Sequence, residues 1–356
     1  MKMTFRWFGD GCDSVSLKEI KQIPGCTGLM GVIDSYAAGE VWEESVIKAY
    51  VERVHSEGLE VEVIESVNVH EDIKMGLPTR DMYIENYIST IKNLAKYGVK
   101  VIVYNFMPVF DWLRTNLAYE LEDGSNVLYY NEEEVINTTP LELVASTNRQ
   151  NNGFSLPGWE PERLGKLKDT LEVYKNINKE QLRANYKYFL EKIIPVCEQV
   201  GVRMAVHPDD PAWEIFGIPR LAHSMEDLEA IVKMVDSPSN GICLCTGSLG
   251  SDPDNNIPEI IRHFGRLDRI PCAHVRNIKY LGYRHFRESA HLSSDGDLDM
   301  YEIMKALNDS GFDGYIRPDH GRMIWGEHAR PGYGLYDRAM GLTYLNGIWE
   351  AIEKSR

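Results

Sequence analysis

The sequence predicts an α/β fold: a (β/α)8 barrel, eight parallel strands closed into a ring and covered by helices. Three observations carry this. Eight short, nearly continuous apolar runs are spread along the 356 residues, with amphipathic stretches between them. Several runs follow a glycine that ends a helical stretch, as in HSEGLEVEVI, AKYGVKVIVY, EQVGVRMAVH and DSGFDGYI. Four runs end at a residue able to bind a metal: His207 in VRMAVHP, Cys245 in ICLCTG, His274 in CAHVRN, and Asp319 with His320 in GYIRPDHG.

In chain order the strands are expected at Phe5–Phe8, Leu29–Ile33, Leu59–Ile64, Val99–Phe106, Val202–His207, Gly241–Cys245, Ile270–Val275 and Gly314–Pro318. Parallel strands buried under helices are apolar along most of their length. Helices are expected at Trp42–Ser56, Arg80–Tyr97, Lys179–Gln199, Ser224–Val235, Ile257–Phe264, Met300–Asn308 and Leu335–Glu353. Glycine just past a helix takes the left-handed capping conformation and turns the chain into the next strand. An open doubly wound sheet is the alternative for the same alternation. The absence of GxGxxG after the first strand argues against dinucleotide binding.

Two connections are long. The fourth, about residues 108–178, is rich in Asn, Glu, Tyr and Pro, and its Trp112, Phe154 and Trp159 suggest packing. An insertion of this size in a compact barrel reads as a lid or an oligomer contact, hinting at a dimer or larger. The other, RNIKYLGYRHFRESAHLSSDGDLD, follows the seventh strand. With both included, residues 1–356 read as one barrel domain.

Acidic residues outnumber basic ones 54 to 38, a net charge of −16, which argues against a nucleic-acid partner. No apolar run reaches the roughly 18–20 residues needed to span a bilayer. The start, MKMTFRWFGDGCDSV, lacks the apolar core of a signal peptide. The six cysteines contain no CxxC pair and read as reduced thiols in a cytoplasm.

In a closed parallel barrel all strands deliver their C-terminal ends to one mouth, where active sites lie. His207, Cys245, His274 and Asp319 come from the fifth to eighth strands and so share one rim. Alternation along a strand then places Cys243 one layer below Cys245, and Cys272 below His274. Alone, each residue is ordinary; together they suggest a divalent cation site. A thiolate and two imidazoles favour zinc by softness, whereas a site completed by water and substrate oxygens suits Mn²⁺ or Fe²⁺. The residue types leave both open.

His320 adjoins Asp319, and neighbouring side chains at a strand end diverge. Asp319 is therefore assigned to the cation and His320 to acid–base work. Arg317 is a candidate clasp for a substrate carboxylate, or else an ion pair inside the barrel. Tyr333, in the Gly-Tyr-Gly of PGYGLYDRA, is a second proton-transfer candidate. Arg276 and His291 lie near the seventh-strand loop and are candidates to contact substrate hydroxyls. His70, His223 and His263 read as surface or structural residues.

These segments, HPDDPAW, CLCTGSLG, HVRNIK, ESAHLSSDGDLDM, RPDHGR and PGYGLYDRA, with FRWFG and VHEDIKMG near the start, closely resemble the D-mannonate dehydratase family of glucuronate degradation. The resemblance covers essentially the whole chain. It implies a TIM barrel of the xylose isomerase-like kind, and dehydration of D-mannonate to 2-keto-3-deoxy-D-gluconate with Mn²⁺ or Fe²⁺. It implies His207, Cys245, His274 and Asp319 as metal ligands, and His320 with a tyrosine, Tyr333 here, as the catalytic pair. The expected partner is a small sugar acid.

The chemistry agrees with these residue types. The weakly acidic proton on C2 must be removed beside a carboxylate, and the enediolate needs a cation nearby. The C3 hydroxyl then leaves with a donated proton. Tyr333 is the expected base and His320 the expected acid. Two rivals are a sugar isomerase or epimerase on a similar barrel, whose sites carry more carboxylates, and a non-catalytic protein whose structural zinc would close all four positions with protein ligands.

Overall fold

The computed structural model describes residues 1–154 and 165–355; Trp159 lies outside them. In chain order the strands are β1 (Lys2–Trp7), β2 (Gly28–Gly31), β3 (Glu60–Glu65), β4 (Val101–Tyr104), β5 (Asn116–Glu120), β6 (Asn126–Asn131), β7 (Arg203–Val206), β8 (Asn240–Cys245), β9 (Cys272–Val275), β10 (Ile278–Gly282), β11 (His285–Glu288) and β12 (Tyr315–Pro318). Eight of them close a barrel in the order β1-β12-β9-β8-β7-β4-β3-β2. Every pairing in that ring is parallel. These are the eight runs expected from the sequence, so the closed barrel holds and the open sheet does not.

Alternation divides the strand residues into two populations. On β1, Phe5 and Trp7 face the helices and join the main core. A separate apolar cluster of Met30, Val63, Val101, Val103, Ala205, Cys243, Cys272 and Tyr315 fills the lumen. Two residues further along several strands, the same inward face turns polar: Glu65 follows Val63, Cys245 follows Cys243, His274 follows Cys272 and Arg317 follows Tyr315. The register sets Cys245 level with His274, and His274 level with Arg317. The site thus rests on an apolar plug of side chains, with Cys243 and Cys272 in the layer that alternation required.

The helices follow their local signals. The helix Lys179–Val200 starts with a reciprocal cap, Asn178 Oδ1 accepting from Gln181 N and Gln181 Oε1 from Asn178 N. It ends at Gly201, whose φ of 70° is left-handed; that residue swings the chain into β7. No helix among the described residues is long and apolar enough to cross a membrane.

The two insertions do something that periodicity did not show. β5 and β6 from the first and β10 and β11 from the second form one antiparallel sheet, in the order β10-β11-β6-β5. Tyr130 of β6 stacks on Phe286 of β11, with centroids 5.5 Å apart, and meets Trp213 edge-on at 5.4 Å. Trp213 follows β7, so this aromatic cluster joins the extra sheet to the barrel mouth.

Candidate active site

The metal corner is built from three barrel strands. His207 directly follows β7, its N–H bonded to Tyr104 O of β4 at 2.7 Å. Cys245 is the last residue of β8 and His274 lies within β9. One ligand atom from each of the three lies within 4.8 Å of the others. His207 Nδ1 stands 2.8 Å from the carbonyl of Pro208, which can only accept, so Nδ1 carries the hydrogen and Nε2 is left as a ligand. Burial raises the Cys245 thiol, but Arg276 and hydrogen bonds from His207 and His274 outweigh it and hold it well below its usual range. His207 is displaced the other way: burial lowers it, and the Cys245 sulfur outweighs this, pushing it up to about 9. A buried thiolate facing two imidazole rings is a donor set for a divalent cation, which would take the place of the proton on His207 Nε2, and the residues fit one.

Asp319, the fourth expected ligand, adjoins this group without joining it. Its Oδ2 is 3.6 Å from Cys245 Sγ and 2.8 Å from Arg276 Nε. Oδ1 is 2.9 Å from Arg317 Nη2, yet has no well-aligned hydrogen bond. Burial raises this carboxyl; Arg317 leads the charges that more than reverse the effect, leaving it ionised. His274 sits between Arg317 and Glu65, with Nδ1 3.4 Å from the guanidinium and Nε2 3.2 Å from the carboxylate.

A second group, centred on His320 and Tyr333, adjoins it. His320 Nε2 is 2.9 Å from the hydroxyl of Tyr333, and His320 Nδ1 is 2.8 Å from Glu288 Oε1. Burial raises Glu288, but His320, Arg276 and Arg114 overcome this and keep it ionised. An ionised carboxylate only accepts, so Nδ1 donates to it and Nε2 is free to accept from Tyr333. Burial, reinforced by Asp319, pushes the Tyr333 phenol up to about 12, so at neutral pH it holds its proton. The loop bearing Tyr333 is fixed from behind: the buried Arg338 donates to the carbonyls of Gly334 and Tyr333.

His207, Asp319, His320, Tyr333 and Arg317 line one pocket together with Arg6, Glu65, Asp111, Trp112 and Asp210. Arg276 and His291 do not line it. Arg276 lies behind the wall, bonded to Glu288, Asp210 and Ser248. His291 is packed against the backbone of Gly341. Both are buried and outside this lining, whereas their place in the sequence had set them near the substrate.

Three site residues escaped the sequence reading. Glu288 ends β11 and depends on the extra sheet for its place. Glu65 ends β3, where burial opposes its charge but Arg317 and His274 hold it well below the usual carboxylate range. Its strand-end position in EVEVIES was the available signal. Arg6 lies in the FRWFG segment on the inward face of β1.

The comparisons with known proteins decide the family. The D-mannonate dehydratase (UxuA) profile matches residues 1–356. The chain belongs to the D-mannonate dehydratase family. It is 72% identical to a mannonate dehydratase of Lachnoclostridium phytofermentans, covering 100% of this chain and 99% of that protein. It is 58% identical to one of Lactococcus lactis subsp. cremoris, covering both completely (100% and 100%). The crystal structure of mannonate dehydratase from Streptococcus suis serotype 2 superposes with a TM-score of 0.91 at 42% identity, over 100% of this chain and 95% of that one. A xylose isomerase domain protein from Planctomyces limnophilus superposes with a TM-score of 0.57 at 12% identity, over 99% and 98%; it shares the fold. Membership makes the chain an enzyme with a divalent metal, a dehydratase acting on a sugar acid.

Proposed function

We propose that this pocket dehydrates D-mannonate to 2-keto-3-deoxy-D-gluconate, a step of hexuronate catabolism, with His207, Cys245, His274 and Asp319 holding Mn²⁺ or Fe²⁺. Tyr333 and His320 move the protons. The observation that carries the assignment is the 2.9 Å contact between His320 Nε2 and the Tyr333 hydroxyl, beside three converging metal donors.

A bound divalent cation supplies positive charge where the enediolate develops. The side chains do the rest. Tyr333 passes its proton to His320 Nε2, and the charge on the imidazolium is balanced by Glu288. The phenolate oxygen takes the proton from C2. His320 Nε2 then protonates the C3 hydroxyl, and the C3–O bond breaks to release water. Tyr333 has regained a proton and His320 has lost one, so the pair ends as it began. The enol product tautomerises to the 2-keto acid. This sequence requires the neutral phenol and the acceptor Nε2 that the hydrogen bonds dictate.

Arg317 supports both corners by holding Glu65 and Asp319, at 3.1 and 2.9 Å. Its Nε and Nη1 are buried without a hydrogen-bond partner, so its role here is to hold those two carboxylates. Arg276 positions Asp319 and Glu288 rather than substrate. The free thiols at all six cysteines fit a reducing cytoplasm.

Incubation with D-mannonate tests the reading. A 2-keto-3-deoxy acid is the expected product; an isomeric sugar acid would mean isomerase or epimerase chemistry. Activity should vanish with chelator and return with Mn²⁺ or Fe²⁺ but not Zn²⁺. Return with Zn²⁺ alone would overturn the metal assignment.

A further inference from the structure

Two arginines line the pocket, and only one is neutralised. Arg317 contacts two carboxylates, Glu65 and Asp319. Behind the wall, Arg114 pairs with Asp210 and Glu288, and Arg276 with Asp210, Glu288 and Asp319. Arg6 is different. It is buried and lines the pocket, but it donates one hydrogen bond, from Nη1 to Met30 O at 3.3 Å, and its guanidinium lies 4.3 Å from the centre of the Phe8 ring. No carboxylate among the described residues is within ion-pair distance of it. Arg338 is also buried without a carboxylate, but it is outside the pocket lining and its fork is engaged by the carbonyls of Gly334, Arg6 and Tyr333.

A buried guanidinium with most of its fork uncommitted is costly unless an anion completes it. We infer that Arg6 receives the carboxylate of the sugar-acid substrate and is the residue by which the pocket distinguishes an aldonate from an uncharged polyol. This rests on the reading of the pocket as a sugar-acid site. The position agrees with the chemistry. Phe8 carries Arg6 against its face and meets Tyr333 edge-on at 5.0 Å and 86°. Arg6 and Tyr333 thus share one ring and one pocket, so a carboxylate on Arg6 sets the adjacent carbon, C2, on the side of Tyr333, whose phenolate takes its proton. The planar fork also suits a carboxylate, which it can grip through two parallel N–H groups.

The test compares D-gluconate with D-glucitol, an acid and an uncharged polyol of the same length, by calorimetry on Mn²⁺-loaded enzyme. Wild type should prefer the acid. Arg6→Gln should weaken D-gluconate about 10- to 100-fold, the effect of losing a charge-assisted hydrogen bond, and leave D-glucitol and manganese content unchanged. Arg6→Lys, which keeps the charge and a donor, should recover part of the preference and guards against a misfolded glutamine variant. Equal weakening of both compounds would mean that Arg6 only packs. An unchanged preference in Arg6→Gln, or none in wild type, would place the carboxylate elsewhere. Turnover of D-mannonate by wild type, measured on the same preparation, tests the underlying reading separately.

Discussion

Glu288 and His320 are joined at 2.8 Å although they lie 32 residues apart, one on the extra antiparallel sheet and the other at the end of a barrel strand. The same oxygen, Oε1, also accepts from Arg114 and Arg276 at 2.8 Å each. One atom therefore sets the tautomer of His320 and ties both insertions to the barrel. A glutamine here can offer an N–H to Nδ1 and favour the opposite tautomer. Glu288→Gln should lower kcat for D-mannonate by roughly 10- to 100-fold, with KM and metal content little changed. Steady-state kinetics with metal analysis would show it; a loss confined to KM would contradict the positioning role.

The division of labour between Tyr333 and His320 predicts an isotope result. Tyr333→Phe removes the group proposed to take the C2 proton and should slow exchange of C2 deuterium by about 10²- to 10⁴-fold. NMR of D-mannonate in heavy water reads this directly. Exchange that persists in Tyr333→Phe but is lost in His320→Asn would reverse the two roles.

His70 predicts a pH effect on stability. Its Nδ1 accepts from Asp72 N at 3.1 Å, capping the helix Glu71–Met75, so the cap requires the neutral ring. Burial lowers His70 below its ordinary value of 6.5, ahead of the opposing pull of Asp72 and Glu71. A depressed histidine contributes stability above its unfolded pKa and loses it as pH falls through the unfolded value toward the folded one. Between pH 8 and pH 5.5 the wild type should lose stability of this kind. His70→Asn can cap without titrating and should lack that increment in urea unfolding. An identical pH slope in both proteins would contradict the cap.

Gly341 predicts a steric limit. A Cβ there would stand 2.4 Å from His291 Nδ1, and His291 is buried. Gly341→Ala should destabilise by about 1–3 kcal/mol despite the better helix propensity of alanine, seen as a lower Tm. A raised Tm would show that His291 moves freely.

The amino-acid sequence determined the barrel and the convergence of the candidate ligands at its rim because both follow from short-range rules. Apolar runs and capping glycines mark strands and helices, and parallel closure brings every strand end to one mouth. Period-two alternation then orders the layers, which is why Cys243 and Cys272 were legible beneath Cys245 and His274. Even the contact between His320 and Tyr333 was within reach, since both follow the last strand in one short segment. Only the tertiary structure decided the charge partners. Arg317 was left between a substrate clasp and an ion pair until Glu65, 252 residues away in sequence, proved to be 3.1 Å from it. Arg276 and His291 were set in the pocket by proximity in sequence, yet both stand behind its wall. The extra sheet was hidden for the same reason: β6 and β11 pair although the barrel strands β7, β8 and β9 lie between them in the chain, and periodicity names the face of a strand but not its partner. Alternation specifies direction within one element. Ion pairs and ladder partners depend on separations of a few ångströms between distant segments, and those exist only after the barrel has closed.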